Sequence, residues 1–86
     1  IIKGSEDIWF VYIIKCVDGS LYTGITNNVL KRMKTHRSGK GSKYVRSRLP
    51  FTLERVWEVE NKSVAAKMEY KIKQLKRGEK LKLILS

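Results

Sequence analysis

The chain opens its patterned part on residues 8–16, IWFVYIIKC, which are β-branched or aromatic almost throughout. An apolar run that does not alternate predicts a central strand covered on both faces. Val17-Asp18-Gly19-Ser20 carries turn chemistry, and Leu21–Ile25 returns as a second strand, so the two form a hairpin. Thr26 or Asn27 can cap a helix running to about Ser38, and Gly39 ends it because glycine enters the left-handed region at little cost. Lys40–Leu49 lacks a period and reads as a basic loop, and Pro50 bounds a third strand, Phe51–Val59. Ser63 can cap a second helix from Val64 to about Arg77, ended by Gly78, and Glu79–Leu85 is apolar enough for a short last helix or strand. The order is ββαβα plus a short C-terminal element. That predicts an α+β domain on a small three-stranded antiparallel sheet with flanking helices.

The helical stripes refine this picture. In the first helix Val29, Leu30 and Met33 share the apolar face. Arg32 and His36 lie four apart and flank that face together. In the second helix the stripe is Val64, Met68, Ile72 and Leu75, with Glu69 at its edge. A carboxylate at a stripe's edge is half drawn into the protein.

The hairpin also makes a geometric prediction. A two-residue turn on Asp18-Gly19 pairs Tyr12 with Ile25, an odd step from Tyr22, and sends the two phenols to opposite faces. A three-residue loop with Gly19 left-handed pairs Tyr12 with Gly24 and puts both phenols on one face. The shared face requires the odd-length loop or a bulge.

The 86 residues suit one domain over residues 1–86 with a core in about 9–78, and 42% hydrophobic content is enough to build that core. The lone cysteine, Cys16, cannot form an internal disulfide, and a reduced, cytoplasmic setting fits it. No apolar run approaches the roughly 20 residues of a membrane span. Residues 1–7 lack the pattern of a secretory leader.

Charge changes the picture most. Nineteen Lys and Arg against eight Asp and Glu give a formal net charge of +11. That predicts a polyanionic partner, nucleic acid rather than an acidic membrane surface. From Lys31 to Arg48 the chain carries Lys31, Arg32, Lys34, Arg37, Lys40, Lys43, Arg46 and Arg48 and no acid, with Tyr44 among them for stacking. No base-reading motif is visible, so contact to backbone or shape is expected.

Five residues stand out chemically: Tyr12, Tyr22, Arg32, His36 and Glu69. Each has a plain structural use as well: the tyrosines as core aromatics, Arg32 and His36 as surface residues, Glu69 as a partner of Lys73 one turn on. Jointly they suit phosphodiester hydrolysis. Arginine grips a phosphate and stabilises charge developing on it. A lone glutamate at a rim can hold one Mg²⁺ or Mn²⁺, with water and substrate oxygens completing the shell. Tyrosine or histidine can take a proton from water.

Val11-Tyr12-Ile13, followed by Tyr22-Thr23-Gly24, resembles the two half-motifs of the GIY-YIG nuclease superfamily. The run VYIIKCVDGSLYTGITNNVLKRMKTHRSG looks most like small stand-alone bacterial members and is also similar to the nuclease domain of SLX-type structure-specific enzymes. The resemblance covers about residues 9–78. It implies an endonuclease using one divalent ion, with a place in DNA repair or recombination. Tyr12 and Tyr22 match the motif tyrosines, and which of them is the base stays open. Arg32 matches the arginine that contacts the scissile phosphate, His36 a position held by His or Tyr, and Glu69 the metal-binding glutamate. Gly24 is expected to let backbone approach a helix or the phosphate. Ile25 stands where excision-repair relatives carry lysine, and the region around Leu81 lacks their asparagine. A binding module with weak or no catalysis is therefore the second reading. Larger members find their targets through extra domains, so a protein partner supplying specificity is expected here.

Overall fold

The apolar run becomes the middle of the sheet. The computed structural model describes residues 8–86, and the reading of residues 1–7 lies outside that range. Strand β1 (Trp9–Cys16) lies between β2 (Leu21–Thr26) and β3 (Phe51–Val59), all pairs antiparallel. Helix α1 (Val29–Arg37) and the single turn α2 (Lys43–Arg46) precede β3, and α3 (Lys62–Lys73) and α4 (Arg77–Leu85) follow it.

The hairpin loop is the odd-length one. Tyr12 pairs with Gly24, and the Cys16 amide donates to the Ser20 carbonyl at 2.8 Å. Val17, Asp18 and Gly19 form the loop, with Gly19 at φ +86°, a conformation that glycine adopts without steric cost. The Asp18 carboxylate accepts from the Ser20 amide and hydroxyl at 3.0 and 2.6 Å and locks the turn.

Alternation along β1 builds two cores. Tyr12 and Ile14 pack with Met33 of α1, Val45 of α2 and Phe51. Val11 and Ile13 pack on the other face with Ala65 and Ile72 of α3, joined by Leu83 and Ile84 of α4. Each fully buried Ile or Val contributes roughly 1.5–3 kcal/mol. The core therefore extends past residue 78 into α4, because α3 alone leaves part of that sheet face uncovered.

Several boundaries move, each for a local reason. The loop expected over Lys40–Leu49 contains α2, capped by Ser42 and anchored by the buried Val45. One turn is too short to register as a period. The caps are Asn28 and Asn61, whose carboxamide oxygens accept from Lys31 and Val64 amides at 3.0 and 2.9 Å. Thr26, one of the expected caps, instead receives the Asn28 amide on its hydroxyl. Helix α3 stops at Lys73, and Gly78 sits inside α4 rather than ending α3, since Glu79 reaches back to the Lys76 amide at 2.9 Å and starts a new helix. Leu30 is 85% exposed, because Met33 and His36 set the face that α1 turns to the sheet.

Candidate active site

Tyr12 and Tyr22 point from neighbouring strands to the α1 side of the sheet, with ring centroids 6.5 Å apart. His36 completes the group. Its ring lies 5.9 Å from Tyr12 and 5.8 Å from Tyr22, both edge-on. The Tyr12 hydroxyl and His36 Nε2 share a hydrogen bond of 2.9 Å, wholly inside the protein. The flanking position expected for His36 is corrected here. It is 1% exposed and belongs to the core. Its spacing three residues after Met33 was the available signal, masked by reading histidine as polar.

Two glycines make room for this arrangement. A Cβ on Gly24 would fall 2.6 Å from Tyr12 Cζ and closer still to its oxygen. The Tyr12 ring therefore crosses directly over Gly24. A Cβ on Gly41 would fall 2.9 Å from His36 Cε1, so the α1–α2 connection closes over the imidazole. Neither neighbour is visible from sequence spacing.

Burial sets the electrostatics. Tyr12 is 0% exposed, and its phenol is pushed up to about 12, first by loss of water and then by Tyr22, against the lowering effect of Arg32. Glu69 adds a smaller raising effect. Burial, then Arg32, holds the His36 imidazolium below its ordinary value, so the ring is neutral at pH 7.

A hollow of about 490 Å³ opens beside this group, lined by Tyr22, Arg32, His36, Lys31 and Lys40 among others. Tyr22 is half-buried at its wall, whereas Tyr12 does not reach it. Glu69, on α3, does not line the hollow either. Its carboxylate lies 3.2 Å from Lys73 Nζ, and that ammonium stands 6.0 Å from the Tyr22 ring centroid.

The basic residues divide into two sets. Lys31, Lys34, Arg37, Lys40, Lys43 and Arg46 are exposed along α1, α2 and the link between them, with the Arg37 guanidinium 5.1 Å from the Phe51 ring centroid. Arg48 pairs with Asp18 at 3.0 Å and lies 3.9 Å above the Tyr44 ring. Tyr44 in turn stacks on Tyr22 at 5.8 Å. Tyr44 and Arg48 thus hold Tyr22 and the hairpin turn in place. Thr26, Asn27, Asn28, Thr35, Gly41 and Ser42 also line the hollow, and sequence reasoning did not single them out for it.

Among the described residues, no three His, Cys, Asp or Glu gather as a metal cage. No helix among them is long and apolar enough to cross a membrane.

Comparison with known proteins places the chain. The family described as the GIY-YIG catalytic domain matches residues 8–82. A UPF0213 protein of Oceanobacillus iheyensis is 56% identical over 75 residues, covering 87% of this chain and 87% of that protein. A UPF0213 protein of Nitratidesulfovibrio vulgaris is 39% identical, covering 90% of this chain and 70% of that one. The solution NMR structure of a UPF0213 protein from Bacillus halodurans superposes with a TM-score of 0.59 at 47% identity, covering 90% of this chain and 82% of that one. The chain belongs to the GIY-YIG family, among its UPF0213 members.

Proposed function

We propose that the chain hydrolyses phosphodiester bonds in nucleic acid, with DNA as substrate and one Mg²⁺ or Mn²⁺ as cofactor. The observation that carries this reading is the hollow where Tyr22, Arg32 and His36 meet amid exposed lysines.

The roles follow from exposure and charge. Tyr12 is sealed off and holds its proton to about pH 12, so it is a structural partner of His36 rather than the base. Tyr22 is the phenol open to the hollow; having passed its own proton to solvent, it takes one from the attacking water. The water oxygen bonds to phosphorus as the P–O bond to the leaving strand breaks, and the departing oxygen takes up a proton from solvent. Arg32 meets the charge that builds on the non-bridging oxygens. Lys31, Lys34, Arg37, Lys40, Lys43 and Arg46 track the flanking phosphates without reading bases.

The donor set fits a divalent ion held mainly by water and substrate. Glu69 is one carboxylate with its side chain 24% exposed, and it already has a cation, Lys73 Nζ, at 3.2 Å. Small hard cations keep several waters and take one or two carboxylates plus phosphate oxygens. When bound, the ion supplies charge neutralisation at the phosphate.

The Glu69–Lys73 pair also favours a second reading, a module that binds nucleic acid without cutting it. Branched, flapped and linear DNA incubated with Mg²⁺ or Mn²⁺ separates the two. The enzyme reading expects cleavage by wild type, a loss of about 10²–10³ for Arg32→Ala, and abolition by Glu69→Gln and Tyr22→Phe. Binding by all variants with cleavage by none supports the module. Undiminished cutting by Tyr22→Phe removes Tyr22 as the base.

A further inference from the structure

Glu69 and Lys73 stand one turn apart on α3 in the favourable order, acid first and lysine four residues later. Lys73 Nζ is 3.2 Å from Glu69 Oε2 and 6.0 Å from the Tyr22 ring centroid, so the ammonium sits near both acid and phenol. The two partners differ in freedom. The Lys73 side chain is 49% exposed and that of Glu69 only 24%. A lysine stem of that exposure can swing its charge into water, while the carboxylate stays against the protein. Among the described residues the other ion pair, Arg48 with Asp18, lies on the hairpin turn. Lys73 is thus the cation that Glu69 holds at rest.

We infer that Lys73 is a tethered competitor for the metal: a divalent cation reaches Glu69 only by displacing the Lys73 ammonium, and Lys73 thereby sets the affinity and salt dependence of the site. The inference rests on the proposed metal role of Glu69. The displaced ammonium, still carried on α3 beside Tyr22, adds a positive charge next to the phosphate path.

The test measures Mn²⁺ binding to the whole chain without nucleic acid, through the electron paramagnetic resonance signal of the unbound ion at low ionic strength. Lys73→Met keeps the stem and the helix but removes the charge. It should tighten Mn²⁺ binding about threefold to fivefold, the equivalent of a partly exposed ion pair. Lys73→Arg should weaken it, because the guanidinium fork grips a carboxylate through two bonds. Both differences should shrink as salt rises past about 0.15 M. Glu69→Gln separates this inference from its premise. Mn²⁺ binding by Glu69→Gln equal to wild type would remove the metal role of Glu69, and the inference with it. Loss of binding in Glu69→Gln with identical affinities for wild type and Lys73→Met leaves the metal role standing and overturns the competitor.

Discussion

The two faces of β1 are built from alternate residues of one short strand, yet they do different work. Val11 and Ile13 enter a cluster with Ala65 and Ile72 that is apolar in every core member. Tyr12 faces the other way and carries a hydroxyl into its cluster, where His36 meets it. An apolar face needs only volume and shape, and tolerates many solutions. A buried polar pair needs specific space around it, here provided by Gly24 and Gly41, and His36 Nδ1 is buried without a partner. The α3 face supplies stability, and the α1 face trades some of it for a defined arrangement beside the hollow.

That contrast is open to test, from the largest effect downward. Ile13→Ala strikes the apolar face, and chemical denaturation should show a loss of about 2–5 kcal/mol. Activity per folded molecule should be retained, since Ile13 lies across the sheet from the hollow. Gly24→Ala strikes the other face. Its methyl would collide with the immobile Tyr12 ring, and a loss of about 1–3 kcal/mol should come with displaced Tyr12 and His36 resonances in NMR spectra.

Tyr12→Phe keeps the ring and removes the partner of His36 Nε2, costing about 1–3 kcal/mol at pH 7. It also carries a pH signature. The folded phenol titrates at about 12, above its ordinary 10.0, so the native state refuses to release a proton that the unfolded chain gives up. Wild-type stability is whole below pH 10 and declines as pH rises from there towards 12. The difference between wild type and Tyr12→Phe, measured by denaturant melts from pH 8 to 12, should narrow towards the alkaline end.

Each face also leaves one buried polar atom unpartnered, His36 Nδ1 on the α1 side and the Thr23 hydroxyl on the α3 side. Thr23→Val replaces it with a methyl of the same shape and should raise stability by about 1 kcal/mol in the same melts. Leu30→Ala gives the smallest effect. Leu30 is 85% exposed, so the expected change is under about 0.5 kcal/mol. A larger loss would show that α1 turns a different face to the sheet.

The strands were legible from the chain alone because local patterns specify them. Residues 8–16 form an unalternating run, and Val17-Asp18-Gly19-Ser20 carries turn chemistry that leaves a two- or a three-residue loop open; the structure has the three-residue one. With the observed register the shared face of Tyr12 and Tyr22 follows by parity. The helices were legible as segments but not in their rotation. Leu30 read as core and His36 as rim, and the fold reverses them, because which side of α1 meets the sheet depends on Val45, Phe51 and the closing Gly41 loop. None of those is near α1 in a helical period.

The chain by itself determined the strand segments, the basic surface and the identity of the motif tyrosines, since each depends on neighbours within a few residues or on summed charge. Only the tertiary structure decided that one phenol is sealed and the other open, that His36 is a core partner, and that Lys73 stands against Glu69 beside Tyr22. Those outcomes depend on which groups lose their water, and water is excluded by packing between segments distant along the polymer.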